Sequence, residues 1–199
     1  MKTALVIIDM QNFFSRIVDK PLANIKTLHE FFEQTSEPII FTQHGHTEDE
    51  LVPPIKNQLI RLVGADNVIM VNTPDWELIP DIWKMAKDAP VIAKNTYDAF
   101  MATDLEACLR QQNVERLIIT GVMTDVCCQT TAVSGFVRGY KTWLISDACW
   151  TDYLVQHVRA VKALGPLIGR VYTTAEAVDR LLDESSNAPS CTAQHDSPA

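Results

Sequence analysis

Short apolar runs alternate along the chain with longer stretches whose apolar residues recur at helical spacing. The runs are rich in β-branched residues and mostly lack a polar alternation: Ala4–Ile8, Pro38–Thr42, Val91–Ala93, Leu117–Thr120, Thr142–Ile145 and Arg170–Tyr172. Strands that are apolar on both faces are typical of a parallel sheet covered by helices on both sides. The pattern therefore predicts six strands of one sheet.

The stretches between these runs predict helices. Their apolar spacing marks Leu22–Phe32, Leu105–Gln112, Thr124–Arg138, Tyr153–Leu164 and a last helix capped by Thr174, with Ala177, Leu181 and Leu182 facing the core. Alternating strands and helices are typical of the doubly wound, Rossmann-like arrangement. We therefore expect an α/β fold, a three-layer α/β/α sandwich around a mainly parallel six-stranded sheet.

Two segments depart from this alternation. Residues 47–88 contain four prolines and only patchy periodicity, which predicts a long excursion over the strand ends that closes a pocket. Residues 184–199 carry almost no large apolar side chain. We expect one domain over residues 1–183 followed by a flexible tail over residues 184–199, so Cys191 and His195 are poor candidates for catalysis.

Composition narrows the classes of partner. The 199 residues include 17 Lys plus Arg against 25 Asp plus Glu, a formal net charge of −8. That balance argues against nucleic acid and anionic membrane surfaces. The apolar start at Ala4–Ile8 is too short for a secretory signal or a membrane span. We expect a cytoplasmic protein that acts on a small molecule.

The cysteine count raises the question of thiol chemistry. Five cysteines, an odd number, are scattered through a chain long enough for a sizeable core, which is not typical of a disulfide-stapled secreted domain. Cys127 and Cys128 are adjacent, and adjacent cysteines form a strained disulfide. At least one cysteine is therefore a candidate for catalysis.

Polar residues follow the predicted strands at the edge where a doubly wound sheet collects its functional groups. Asp9 follows the first strand, Lys94 the third, and Cys127 lies in the turn after the fourth. Taken singly, each has an ordinary explanation as a cap, a solvated lysine or a buried thiol. Together they supply a base, a cation and a thiol, and a helix N-terminus beside Lys94 is expected to lower the pKa of Cys127.

Three segments of the chain carry a family resemblance. They are Val6–Phe14, Lys94–Phe100 and Leu117–Ala132, the last continued by Arg138–Ala148. In order and spacing they resemble the isochorismatase-like cysteine hydrolase family, which includes nicotinamidases and N-carbamoylsarcosine amidohydrolases. The resemblance runs from the first strand to about residue 174.

The resemblance implies roles for particular residues. Asp9 matches the general base, Lys94 the cation of the triad and Cys127 the nucleophile. It also implies a cis peptide between Val122 and Met123, and an oxyanion hole formed by the backbone N–H groups of Met123 and Cys127.

The implied reaction is hydrolysis of a C–N bond in a small amide or carbamoyl compound through a thioester, an amidohydrolase activity (EC 3.5). Family members that act on isochorismate lack the cysteine nucleophile, so Cys127 favours the amide reaction. Two alternatives stay open. One is a thiol redox or sensing protein that uses Cys127 and Cys128, and the other is a metal-dependent nicotinamidase-like amidase.

The resemblance is weakest at the metal site and in the substrate pocket. Nicotinamidases bind a metal through an Asp-x-His pair and a further downstream histidine, whereas this chain has His44-Gly45-His46 and no histidine between His46 and His157. We expect no cofactor, with His44 and His46 as the candidate ligands of any metal. Homo-oligomers are expected because family members commonly assemble. The pocket is expected to include Phe14, His44, Trp76, Tyr97 and Phe100.

Overall fold

The computed structural model describes residues 1–186, and six strands within them form one sheet in the order β3-β2-β1-β4-β5-β6. The strands are β1 (Thr3–Ile8), β2 (Ile39–His44), β3 (Val91–Lys94), β4 (Arg116–Val122), β5 (Lys141–Trp150) and β6 (Val171–Tyr172). Every neighbouring pair is parallel. The predicted α/β sheet is confirmed.

Helices cover both faces of the sheet. In the described part of the chain they are α1 (Asp19–Thr35), α2 (Glu48–Leu51), α3 (Gln58–Val63), α4 (Pro80–Met85), α5 (Leu105–Gln111), α6 (Gln129–Val137), α7 (Leu154–Ile168) and α8 (Thr174–Ser186). Side chains of β1 alternate between two apolar clusters. Leu5 lies in one cluster with Ile25 of α1 and Leu181 of α8. Val6 lies in the other cluster with Leu109 of α5 and Leu164 of α7. No helix within residues 1–186 is long and apolar enough to cross a membrane.

The helix predicted over Thr124–Arg138 has two parts. Thr124–Cys128 forms a π-helical turn, and α6 begins only at Gln129. The N–H of Cys128 donates to the carbonyl of Met123 at 3.1 Å, a bond across five residues that widens the turn. Such turns are rare and often lie at functional sites.

The N-cap of α8 is Thr173 rather than the predicted Thr174. The Thr173 hydroxyl accepts from Glu176 N at 3.3 Å, while Thr173 N donates to the Glu176 carboxylate at 2.8 Å, which is the reciprocal pattern of a capping box. The hydroxyl of Thr174 instead donates to Asp147 at 2.8 Å. The expected cap was therefore one residue too late.

Helix α8 buries only part of its expected inner face. Ala177 and Leu181 are buried as predicted, but Leu182 is 50% exposed, so that expectation was wrong. The helix continues to Ser186, and Glu184 forms an ion pair with Arg116 at 2.5 Å. Residues 187–199, with Cys191 and His195, lie outside the described residues, so the proposed boundary of the tail stays a prediction.

The excursion over residues 47–88 crosses the carboxyl edge of the sheet. It contains α2, α3, α4 and a 3-10 turn at Ala65–Asn67. It returns to the strand ends through bridges between His46 and Met70 and between Gln11 and Leu78. Leu59 of α3 lines a cavity at this edge, so the excursion walls a pocket as expected.

Candidate active site

Asp9 lies directly after β1 and is fully buried. Its backbone takes a positive φ of 48°, a conformation that aspartate tolerates better than most residues. The Thr42 hydroxyl donates to Asp9 Oδ1 at 2.6 Å and accepts from Asp9 N at 3.2 Å. Thr42 therefore fixes the carboxylate, a role that sequence reasoning missed. The one sequence feature that could have indicated this role is the position of Thr42, a polar residue near the end of an apolar strand.

Gly121 allows β4 to pass close to the end of β1. A Cβ at position 121 would lie 2.1 Å from the Ile8 carbonyl oxygen, and the φ of Gly121 is +107°. Only glycine fits this approach without displacing the backbone. The peptide bond between Val122 and Met123, the two residues that follow Gly121, is cis, as the resemblance implied.

Lys94 ends β3 and its side chain reaches past β2 to Asp9. Lys94 Nζ lies 2.7 Å from Asp9 Oδ2 and donates to the Thr96 carbonyl at 2.9 Å, and both charged side chains are fully buried. Burial opposes the charge of Lys94, but the neighbouring Asp9 and Cys127 outweigh it and raise the pKa of the lysine. Asp9 Oδ2 takes part in this ion pair without a well-aligned hydrogen bond.

Cys127 lies on the π-helical turn and its side chain reaches the same ion pair. Lys94 Nζ donates to Cys127 Sγ at 3.4 Å. Burial raises the pKa of Cys127 to about 12, and the charge of Asp9 adds to this effect while Lys94 opposes it. The expected lowering of this pKa is therefore wrong, because the sulfur is too deeply buried for one cation to compensate.

The predicted triad residues thus meet at one edge of the sheet, from the ends of β1, β3 and β4. The amides expected to form an oxyanion hole belong to Met123 and Cys127, and both residues line the adjoining cavity. Their role as donors to an oxyanion stays a prediction.

The cavity beside Cys127 measures about 310 Å³ and is mainly apolar. Its lining comes from the excursion and from the loops after β1, β2, β3 and β4: Phe13, Phe14, His44, His46, Leu59, Val63, Asn67, Val68, Ile69, Tyr97, Met123, Val126 and Cys127. Phe14, His44 and Tyr97 lie here as expected. The volume suits a small ligand.

Two other residues expected in this pocket lie elsewhere. Trp76 borders a separate cavity with Trp83, and its indole packs against Gly45, where an added Cβ would approach it to 2.6 Å. Phe100 is buried in the core and stacks on Tyr140 with ring centroids 5.9 Å apart. Both expectations were wrong because residue spacing alone does not fix the direction of a side chain outside regular strands and helices.

His44 and His46 follow one another along the pocket wall, with ring centroids 5.0 Å apart. His44 Nδ1 lies 3.4 Å from Lys94 Nζ, and burial together with the charge of Lys94 lowers the pKa of His44 to about 4. Among residues 1–186, no three His, Cys, Asp or Glu side chains are grouped to hold a metal ion. His44 and His46 therefore lack a third side chain with which to form a three-ligand metal site in this part of the chain, and His44 Nδ1 lies beside a lysine.

Glu50 of the excursion holds His46 in place. Its Oε2 lies 3.3 Å from His46 Nδ1 and accepts from Thr47 N at 3.1 Å, while Oε1 accepts from Asn95 Nδ2 at 2.6 Å. Burial opposes ionisation, but the hydrogen bonds from Thr47, Asn57 and Asn95 outweigh it and lower the pKa of Glu50. Sequence reasoning missed this residue, although Thr47 and Glu50 have the spacing of a capping box.

His157 packs behind the π-helical turn that carries Cys127. Its Nδ1 lies 2.9 Å from the Thr124 hydroxyl and its ring lies 4.8 Å from that of Trp150. Burial lowers the pKa of His157. Through these contacts His157 packs and hydrogen-bonds against the turn that carries Cys127.

Comparisons with known proteins agree with this arrangement. Residues 3–176 match the isochorismatase domain family. Nicotinamidase 3 of Arabidopsis thaliana is 34% identical over 149 residues, which cover 74% of this chain and 73% of that protein.

Solved structures share the fold. A cysteine hydrolase from Pseudomonas syringae pv. phaseolicola 1448A is similar with a TM-score of 0.79 and 26% identity, over 92% of this chain and 93% of that chain. N-carbamoylsarcosine amidase from Thermoplasma acidophilum is similar in fold, with a TM-score of 0.73 and 23% identity over 87% of this chain and 97% of that chain. With the family match spanning most of its length, the chain belongs to the isochorismatase family of hydrolases.

Proposed function

We propose that the protein is a cysteine-dependent hydrolase that cleaves the C–N bond of a small amide or carbamoyl compound, with Asp9, Lys94 and Cys127 as its catalytic residues. The contact chain from Cys127 Sγ to Lys94 Nζ at 3.4 Å and on to Asp9 Oδ2 at 2.7 Å carries the proposal. These three groups adjoin an apolar cavity of about 310 Å³, which suits a small substrate.

The attack on the substrate is coupled to proton transfer. Since burial raises the pKa of Cys127 to about 12, the free enzyme holds a thiol rather than a thiolate. Asp9 takes the thiol proton while the sulfur bonds to the carbonyl carbon and the C=O electron pair moves onto oxygen. Lys94 pairs with Asp9 at 2.7 Å and stabilises negative charge at the sulfur.

The second half of the cycle returns the same proton. As the oxygen electron pair re-forms the carbonyl, the C–N bond breaks and Asp9 protonates the leaving ammonia or amine. Water then attacks the thioester, with Asp9 again accepting a proton, and the acid product leaves as the Cys127 thiol is restored. Backbone N–H groups of Met123 and Cys127 would stabilise the oxyanion in both halves.

The names of similar proteins support a C–N bond as the target. They include a nicotinamidase and an N-carbamoylsarcosine amidase. They do not favour a thiol redox protein. The metal-dependent alternative is not favoured, because no three His, Cys, Asp or Glu side chains among residues 1–186 are grouped to hold a metal ion and His44 Nδ1 lies 3.4 Å from Lys94 Nζ.

An ammonia-release screen tests this proposal. Primary amides, carbamoyl compounds and ureides are incubated with the parent protein, with Cys127→Ala and with Cys128→Ala. We expect release from at least one class by the parent and by Cys128→Ala, and none above background by Cys127→Ala. Equal release by Cys127→Ala would contradict the proposal, as would no release from any compound.

Homo-oligomeric assembly and a cytoplasmic location also belong to the proposal. Phe136 and Val137 are 47% and 72% exposed at the end of α6, and such apolar surface supports self-association. Light scattering on the purified protein would measure the mass of the assembly.

A further inference from the structure

The excursion contributes an aliphatic wall to the cavity beside Cys127. Leu59 and Val63, one turn apart on α3, lie in this wall with Val68 and Ile69. Leu59 and Val68 are half-buried and Val63 is 36% exposed, so all three offer surface to a molecule in the cavity. The proposed bond-breaking chemistry uses none of these side chains, so the wall is free to act on the rest of the substrate.

Two aromatic rings after β1 add to the apolar lining. Phe13 and Phe14 border the same cavity with ring centroids 5.1 Å apart in an edge-to-face contact, and Phe13 is 45% exposed. Transfer of an alkyl or aryl group from water to such a surface is favourable, by about fourfold in affinity per methylene. The lining therefore favours a substrate whose non-reacting part is apolar.

The same lining offers little to a charged substrate. Within residues 1–186, no Lys, Arg, Asp or Glu side chain lines this cavity. Lys94, beside Cys127, contacts Asp9 Oδ2 at 2.7 Å, the Thr96 carbonyl at 2.9 Å and Cys127 Sγ at 3.4 Å. These three contacts match the three donors of a lysine ammonium group. A carboxylate on the non-reacting part of a substrate would therefore lose water without gaining a cationic partner, which is costly.

We propose that the aliphatic wall of the excursion determines specificity, and that the substrate is an uncharged amide or carbamoyl compound whose non-reacting part is an alkyl or aryl group. Compounds that carry a carboxylate on that part are excluded. This inference rests on the proposed function and names its substrate class. Leu59 and Val63 are the specificity-determining residues on α3.

Two amides of matched shape test the claim. In 4-methylpentanamide an isopropyl group stands where succinamate has its carboxylate, so the two differ in charge but not in branching. We expect kcat/KM for ammonia release to be at least about a hundredfold higher for 4-methylpentanamide, because the carboxylate must be desolvated without a partner. In the series from propanamide to pentanamide, kcat/KM should rise about fourfold per methylene.

A matched pair of variants on α3 locates the effect. Val63→Arg places a cation in the wall and should reduce the preference for 4-methylpentanamide over succinamate by about tenfold or more, since the guanidinium can pair with the carboxylate. Leu62→Arg adds the same charge at a side chain that is 75% exposed and does not line the cavity, so the parent preference should remain. Equal changes in the two variants would overturn the assignment to the wall.

Binding to Cys127→Ala, measured by ligand-observed NMR, separates this inference from the proposed function. Binding of 4-methylpentanamide but not succinamate, in a protein that releases ammonia from no amide, would support the wall and contradict the hydrolase. Cys127-dependent ammonia release that is equal for the two amides would do the reverse. Preference for succinamate, as a carboxylate bound by either histidine would produce, would overturn the inference, as would binding of neither amide.

Discussion

Cys127 and Cys128 are neighbours in sequence but face different surroundings. Cys127 Sγ lies 3.4 Å from Lys94 Nζ at the edge of the cavity. Cys128 Sγ is fully buried and donates to the Thr120 carbonyl at 3.8 Å. The π-helical turn directs one sulfur to the charged edge of the sheet and the other into the core.

Burial does not distinguish the two thiols. It raises the pKa of both, and for Cys128 the neighbouring Cys149 raises the pKa further. The two thiols differ in their neighbours. In the proposed mechanism, the Asp9 carboxylate beside Cys127 accepts the thiol proton and the Lys94 ammonium group stabilises the negative charge left on the sulfur. Cys128 has neither. In the proposed mechanism, the reactivity of Cys127 therefore depends on its access to the Asp9–Lys94 pair rather than on a thiolate present in the free enzyme.

The largest expected effect is on turnover. Cys127→Ala should lower kcat/KM by at least about a thousandfold, because no other group can form the thioester. Cys128→Ala should stay close to the parent. The ammonia-release rate measures both, and a large loss in Cys128→Ala with retained fold would break the contrast between the two cysteines.

Removing one member of the buried ion pair should destabilise the fold. Lys94→Met leaves the Asp9 charge buried and unpaired, which costs about 3–5 kcal/mol in the free energy of unfolding. The double variant Asp9→Asn/Lys94→Met should be more stable than Lys94→Met, since no charge is left unpaired. Urea denaturation measures these values.

A surface ion pair provides the control for that experiment. Lys26 Nζ lies 2.8 Å from Asp81 Oδ2 with both side chains exposed by 40% or more. Lys26→Met should cost no more than about 1 kcal/mol. Similar losses in Lys26→Met and Lys94→Met would contradict the importance given to the buried pair.

The pH dependence of stability tests the charge state next to the ion pair. Burial and Lys94 lower the pKa of His44 from 6.5 to about 4. Between these values the unfolded chain binds the proton and the folded protein does not, so stability falls as the pH falls. Across this window His44 should account for about 3 kcal/mol of the free energy of unfolding.

His44→Gln should flatten this dependence. Urea denaturation between pH 7 and pH 4 measures the slope for the parent and the variant. His46 and His157, whose pKa values burial also lowers, act in the same direction and leave a residual slope in His44→Gln. An unchanged slope would contradict the lowered pKa of His44.

A smaller effect than that of His44 concerns the core cysteine. Cys128→Ala removes one buried sulfur from a packed cluster and should lower the free energy of unfolding by about 1–2 kcal/mol. Cys108→Ala, at a partly exposed site, should cost less. Denaturant midpoints compare the two, and an equal or larger loss for Cys108→Ala would overturn this assignment.

The sequence alone predicted the sheet and the three residues at its edge. Uninterrupted apolar runs identify strands buried on both faces, and the first polar residues after them must gather at the carboxyl edge. Asp9, Lys94 and Cys127 were therefore accessible to reasoning from spacing and family resemblance. Their mutual distances follow from the parallel order of the strands.

Other features depend on contacts that spacing does not encode. Thr42 binds Asp9, and Glu50 binds Asn95, through hydrogen bonds between residues brought close only by folding. The directions of Trp76 and Phe100 depend on the loops around them, which is why both were expected in the wrong place. The pKa of Cys127 was expected to fall because a helix terminus and a lysine are visible in sequence, whereas the depth of burial is not.

Trapping the covalent intermediate tests the central claim most directly. The parent protein is mixed with the best substrate from the ammonia-release screen, quenched in acid and digested for peptide mass spectrometry. The proposal predicts an acyl group, of the mass of the substrate less its amine, on Cys127 and absent from Cys127→Ala. An acyl group on Cys128, or turnover by Cys127→Ala at the parent rate, would contradict it.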